Sequence, residues 1–384
     1  MFVITTGSQV SKMIEILSIV GEFPFSAIRM LGKRNYIYNQ IYKHIHVNDY
    51  SVPGAAEIIR CQLFQLSGRG ALKTIRFHKS GLQVLEKWNK AAYLSYMNSF
   101  DQHFFRSDDE HITRNHRIAE SAVMCLNAGI EIRPDQVPQL TKMHHQVLPF
   151  DEPVFYLSKH LKKTDPDGLN KTKYARIVGA LFYQTGCYAV YNLRDALMKW
   201  KPESELKSKL DLTDICTMNT SNKEVNSAIF FGASYQTGLR MLQEWKTNRD
   251  NRKLFTGVYQ HVHFIPIDDF GTELLRIITL PDWNDRLLGL FFKNSVRTFG
   301  CGEFTYDAEV KGICYLSFLD SDVARLYLFR EGIKFFPERK WSVICFEQQV
   351  HFLREFLGKN ASLKILKIEN VMGLLKLNGG NSNE

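Results

Sequence analysis

The chain of 384 residues lacks most of the short patterns by which enzymes announce themselves. It has no Walker A loop, no G-x-G-x-x-G, no C-x-x-C and no G-x-S-x-G. The usual phosphate cradles, thiol redox pairs and serine elbow therefore have no candidate here. No apolar run approaches the roughly 20 residues that span a bilayer. The opening "MFVITTGSQVSK" lacks a charged leader, a long apolar stretch and a cleavage site, so the expectation is a cytoplasmic protein with no membrane role. Cysteines are few and unpaired in spacing: positions 61, 125, 187, 216, 301, 314 and 345 read as small buried apolar residues rather than disulfides or zinc ligands.

What is present is basic charge, and it is unevenly spread. The formal net charge is +9. Residues 1–90 hold twelve Lys and Arg against five Asp and Glu, whereas the rest of the chain holds 37 against 35. A polyanionic partner would meet the first quarter of the chain.

That quarter reads as three helices followed by a hairpin. "SQVSKMIEILSIVGEF" puts Val10, Met13, Ile14, Ile16, Leu17 and Val20 on one side, with Ser8 or Ser11 as cap and Gly21 as stop. "PFSAIRML" is a second short helix opened by Pro24 and closed by Gly32. In "KRNYIYNQIYKHIHV", Ile37, Ile41 and Ile45 recur every fourth residue and send Arg34, Tyr36, Asn39, Gln40 and Lys43 around the other side. Amides pair with adenine edges, and basic side chains with guanine or phosphate, so this face has the chemistry of a major-groove reader. "CQLFQLSGRGALKTIRF" then forms a hairpin with a basic tip at Gly68-Arg69-Gly70. Ser80 and Gln83 have the spacing of a capping box for the helix carrying Leu82 and Leu85. Together these make a winged helix-turn-helix, with Arg69, Lys73 and Arg76 touching flanking phosphates.

Further along, a helical stretch over 81–105 leads to a strong helix start at Ser107 with Asp108 to Glu110, and Ile118, Ala122, Cys125 and Leu126 mark its buried stripe. Strands are expected at 130–133, 175–183, 187–192 and 228–231, with a helix at 195–210. Helix, three strands, helix, strand is the order of a restriction-endonuclease-like core. Such nucleases hold Mg²⁺ on strand carboxylates because the ion needs hard oxygen ligands. Here Gly179 and Ala189 to Asn192 occupy those places, and Asp195 and Lys199 come a helical turn too late, so a degenerate core that binds without cutting is expected. The stretch from 186 and the stretch from 312 each run strand, helix, strand, helix, strand, which suits two related α/β units.

The fold expectation is therefore α/β (α+β overall): a winged helix domain over 1–90, a helical linker over 91–128, α/β units over 129–250 and 251–377, and a disordered tail over 378–384. "IRFHKSGLQVL" resembles the strand, turn and helix that end many bacterial winged helix domains, with His78 in the place of their hydroxyl residue. With "HITRNHRIAESAVMCLNAGIEI", similar to a helix carrying His, Asn and Arg, and "VGALFYQTGCYAVYNLRDALMKW", the whole resembles the replication-relaxation family of Gram-positive plasmids and integrative conjugative elements. That resemblance implies a protein of a mobile element that binds double-stranded DNA in plasmid replication, conjugative transfer initiation or their regulation, alongside replication or transfer proteins, and supplies no reaction or cofactor.

One enzymatic alternative is open. His261-Val262-His263 has the His-hydrophobe-His pattern that in relaxases binds Mg²⁺ or Mn²⁺ while a helical tyrosine attacks the scissile phosphate. Asp268, Asp269, Tyr235 and Tyr306 are available to complete it, and spacing selects none of them.

Overall fold

A computed structural model describes residues 1–54, 57–134, 152–162, 174–220, 222, 224–247, 258–297 and 305–377. The expected tail over 378–384 and Cys301 lie outside these residues.

The front of the chain begins with β1 (Phe2–Val3) and α1 (Gln9–Val20). The Ser8 side chain caps α1 by accepting the Ser11 N–H at 3.2 Å. Gly21 ends it at φ +77°, and a Cβ there would fall 2.3 Å from the Phe100 ring packed against it. β2 (Glu22–Pro24), a 3-10 helix over Phe25–Leu31 and α2 (Arg34–His44) follow. β3 (Val47–Ser51) and β4 (Ile59–Gln62) come next, then the hairpin β5 (Phe64–Ser67) and β6 (Thr74–Phe77). β2, β6 and β5 form one antiparallel sheet in that order, with Phe64 opposite Phe77 and Leu66 opposite Ile75. Ile37 and Ile41 of α2 are wholly buried against this module's core, each contributing roughly 2 kcal/mol of apolar burial.

Two local features differ from expectation. Two strands, β3 and β4, stand between α2 and the hairpin and form a second small sheet with β1; only Tyr50 of "VNDYS" is buried, so the segment shows no apolar run. The capping box of Ser80 and Gln83 is not formed. Instead the His78 ring nitrogen Nδ1 accepts the Ser80 N–H at 3.2 Å, and Ser80 Oγ bonds the Gln62 backbone. Histidine thus does the capping that a hydroxyl would do in the pattern it departs from. Gly81 is required by close approach, since a Cβ would lie 2.3 Å from the Leu63 carbonyl oxygen.

The helical stretch expected over 81–105 is made of α3 (Leu82–Trp88) and α4 (Lys90–Ser99), the chain turning at Asn89, whose side chain caps α4. α5 (Asp109–Asn127) starts at Asp108, which accepts the His111 N–H. Rather than a stripe, α5 buries every residue from Ile118 to Cys125. Residues 91–128 are therefore packed structure and not a linker. α5 covers the front sheet on one side, where its His116 Nε2 lies 2.7 Å from Thr74 Oγ1 and Asn115 donates to Glu22 at 3.0 Å. On the other side it lies against the first large sheet, where Asn192 donates to the Arg117 carbonyl at 3.0 Å.

That sheet contains β7 (Val154–Leu157), β8 (Gly179–Tyr183), β9 (Gly186–Arg194), β10 (Ser227–Gly232) and β11 (His261–Pro266), in the order β11-β10-β9-β8-β7. The short helix α6 (Ser158–Lys162) follows β7, and α7 (Pro202–Asn219) and α8 (Tyr235–Thr247) cross between the parallel strands β9, β10 and β11. The expected strand at 130–133 is reduced to one bridge, Glu131 to Val154, and β7 takes the first place in the order. The helix expected over 195–210 starts instead at Pro202, where proline at a first-turn position and Glu203 and Glu205 behind it favour a helix N-terminus.

α9 (Asp269–Ile278) and α10 (Trp283–Gly289) lead to the second large sheet, β12 (Ala308–Val310), β13 (Ile313–Ser317), β14 (Lys340–Phe346) and β15 (Ser362–Leu366) in sequence order. α11 (Val323–Phe335) and α12 (Val350–Leu357) are its crossovers, and α13 (Ile368–Leu374) follows. Each large sheet thus has an antiparallel hairpin, β8-β9 or β12-β13, feeding three parallel strands joined by helices. The architecture is α/β, and its two cores run on opposite faces of both large sheets, one of them continuous with the front module. The six described cysteines are free and buried. Among the described residues no helix is long and apolar enough to cross a membrane.

Candidate nucleic-acid interface

α2 is held by its buried Ile37, Ile41 and His44, the last bonded through Nδ1 to the Tyr50 hydroxyl at 2.7 Å. Burial drives the His44 pKa down to about 4, so this anchor is neutral at ordinary pH. The opposite side of α2 carries Arg34, Tyr36, Asn39 and Lys43 exposed, with Gln40 half-buried among them. Tyr38, 42% exposed, was not singled out by the spacing; its ring lies 4.4 Å from that of Tyr42.

The hairpin tip puts Arg69 in solvent, in a turn that two left-handed glycines permit, Gly68 at φ +73° and Gly70 at φ +55°. Lys73 stands at the base of the tip beside α2, its ammonium 4.1 Å from the centre of the Phe25 ring and 3.2 Å from the Tyr42 hydroxyl. Lys73, Phe25 and Tyr42 thus make one basic and aromatic patch beside α2, with Arg69 exposed at the hairpin tip.

Arg76 does not join them. Strand alternation turns Ile75 and Phe77 to the front module's core and Arg76 to the face that α5 covers. There its guanidinium pairs with Glu22 at 3.2 Å, donates to Ser67 and lies over the Phe105 ring. Arg76→Ala is accordingly expected to lower stability by about 2 kcal/mol, because the buried Glu22 carboxyl, its pKa already pushed up by burial, loses a partner that opposes that shift, and to leave the salt dependence of any DNA binding unchanged. Denaturant unfolding and salt-titrated binding on the same variant check both halves.

The nuclease-like positions hold no inward carboxylate. A Cβ at Gly179 would fall 2.4 Å from the Tyr156 carbonyl oxygen, so packing demands glycine there. Asn192 faces Glu120 of α5, which pairs with Arg194 at 2.8 Å. Asp195 and Lys199 are exposed in the loop before α7.

His261 and His263 sit in a polar cluster where the loop after β13 meets the edge of β11. His261 Nδ1 lies 2.7 Å from Asp322, whose carboxylate also accepts the Val262, Ala324 and Arg325 backbone N–H groups. His263 Nδ1 lies 3.0 Å from the Asp320 carbonyl oxygen. Tyr235 and Gln349 bond Ser321 between those aspartates, and Arg325 pairs with Asp307. Asp268 caps α9 by accepting the Gly271 N–H. The arrangement ties two sheets together, with both Nδ1 atoms engaged by acceptors within the chain.

This cluster carries a pH signature. Burial opposes the charge on His261, but the hydrogen bond and charge of Asp322 outweigh it and hold the imidazole pKa above 6.5. Burial likewise opposes Asp322, and the bond from His261 with the charges of His261, His263 and Arg325 still lowers it to about 2. The histidine's contribution to stability is therefore complete below pH 6.5 and is lost as pH rises through its elevated value; the aspartate's is lost only as pH falls towards 2. His261→Gln should destabilise the protein more at pH 5.5 than at pH 9, as read by unfolding at each pH. An equal loss at both would refute the assignment.

Protein-family models, curated proteins and solved structures, compared with this chain, give no match.

Proposed function

We propose that the chain is a cytoplasmic DNA-binding protein whose residues 1–90 work as a winged helix module on double-stranded DNA. In this reading α2 enters the major groove, Arg34, Asn39, Gln40 and Lys43 contact base edges or phosphates, Tyr36 packs against the groove wall, and Arg69 and Lys73 follow the flanking backbone. The module's element order supports it: helix, strand, helix, helix and then, after the intervening strands β3 and β4, a hairpin whose second strand lies between β2 and β5.

One observation carries the reading. The side chains of Arg34, Tyr36, Asn39, Gln40 and Lys43 have no hydrogen bond or ion pair among the described residues, on a helix whose other side is fixed by wholly buried isoleucines. Unengaged donors and acceptors on a rigid support suit a ligand that brings its own acceptors. The reading needs no cofactor. Service to plasmid replication or conjugative transfer, with the α/β part meeting replication or transfer proteins, rests on the sequence resemblance.

The test is equilibrium binding of the full chain to labelled duplexes over a salt series. A linear fall of log K with log salt is expected, since displaced counterions accompany each phosphate contact. Failure to bind any duplex at low salt overturns the proposal.

A further inference from the structure

Between the front module and the first large sheet lies an open cleft of about 520 Å³, within the roughly 300–1,000 Å³ of ordinary ligand sites. Its floor is the carboxyl ends of β9, β10 and β11, contributed by Arg194, Ala233 and Ile267. In open α/β sheets this is the end where ligands bind. Its other wall is Arg29 of the 3-10 helix and Arg34, the first residue of α2.

The charges around the cleft do not cancel. Arg29, Arg34 and Arg194 line it together with Glu120 and Asp195, and Asp268 stands within electrostatic reach of Arg29. Arg117, one turn before Glu120 on α5, stands behind them within electrostatic reach of Arg194, Glu120 and Asp195. Its buried Nε has no hydrogen-bond partner. Glu120 is already spent on Arg194 and Asn192. Arg29 and Arg34 have no intrachain ion pair among the described residues. A group bringing negative charge would relieve the repulsion between Arg117 and Arg194 and give Arg29 and Arg34 a partner.

We infer that this cleft seats a backbone phosphodiester of the same DNA duplex that α2 engages, so that the α/β part grips DNA directly. The inference rests on the DNA-binding reading above and extends it to a second contact. Two features favour a backbone phosphate over a free nucleotide. No aromatic ring lines the cleft to stack a base. Arg34 belongs both to the cleft and to the outward face of α2, so a strand leaving that helix at its N-terminal end meets the cleft without a break.

The experiment compares full-length wild type, Arg29→Gln and Asp195→Asn on one duplex, by salt-titrated anisotropy and phosphate-ethylation interference. Arg29→Gln should weaken binding several-fold and reduce the salt slope by about one, the value for one lost phosphate contact. It should also remove one interference position outside the α2 footprint. Asp195→Asn, which takes away a negative charge, should tighten binding, a gain that misfolding does not imitate. Unchanged slope, footprint and affinity in both variants, with wild type still binding DNA, overturns this inference and leaves the α2 interface standing. Binding of ATP that depends on Arg29, with the DNA footprint unaltered, also overturns it. Absence of all DNA binding removes the reading on which it rests.

Discussion

Replacing Arg34 and Lys43 together by alanine is expected to lower duplex affinity about 100-fold near 100 mM salt and to reduce the salt slope by about two. Both side chains extend from the exposed face of α2, at either end of it, and have no intrachain partner among the described residues. Their loss removes two charges from the surface facing DNA and nothing from the fold. The melting temperature should therefore stay within about a degree or two of wild type, as for other surface changes away from packed features. That pairing of a large binding defect with unaltered stability separates a docking face from a merely solvated helix. Unchanged affinity in the double variant would show that α2 is not the face used.

The second large effect concerns stability and falls on Arg114. Its guanidinium, half-buried on α5, donates to the Tyr174 carbonyl oxygen at 2.8 Å, to Ser158 Oγ at 3.0 Å, to the Ala175 carbonyl oxygen and, at 3.4 Å, to that of Ile177. Those oxygens come from Ser158, which opens α6 directly after β7, and from the segment leading into β8, so one side chain ties α5 to the chain flanking two strands of the first large sheet. Burial lowers the Arg114 pKa to about 10, which leaves it charged under ordinary conditions. Arg114→Ala strands these acceptors and is expected to cost about 3 kcal/mol or more. Arg114→Lys should recover little of it, because an ammonium cannot reach four oxygens spread across a planar fork. Chemical denaturation of both variants measures this. Near-wild-type stability in either would mean that α5 is held by apolar packing alone.

The front module was legible because its signals are local. Isoleucines every fourth residue, Ser8 and Gly21 as cap and stop, and the glycine pair around Arg69 each act within a few residues. The parallel strands were legible for a similar reason: "GCYAVYNL" and "SAIFFG" are continuous apolar runs because both faces of the sheet are covered. What escaped was decided by tertiary contact. β7 is four residues long and gains its identity from pairing with β8. β3 shows mostly polar side chains because one face looks to solvent. Arg76 looked like part of a basic strand, and only α5, arriving from more than thirty residues downstream, turns its face of the sheet into an interior.

The same limit applies to the candidate site. The outward residues of α2 were readable from helical spacing, whereas the cleft of Arg29, Arg194 and Glu120 joins side chains from segments roughly 75 to 165 positions apart. No pattern in any one of those segments points to the others. The histidine triplet shows the converse: a short motif drew attention to His261 and His263, and the structure engages both with the loop that joins β13 to α11.

The measurement that bears most directly on the central claim is directed cleavage of bound DNA from a chelate on α2. The described cysteines are buried, so Asn39→Cys in a Cys301→Ser background offers one exposed thiol among the described residues for an iron–EDTA reagent. Cuts confined to one short stretch of the bound duplex, and missing when the chelate is carried by Leu206→Cys on α7, are the predicted result. No cleavage from position 39 on a duplex that the protein demonstrably binds would contradict the account.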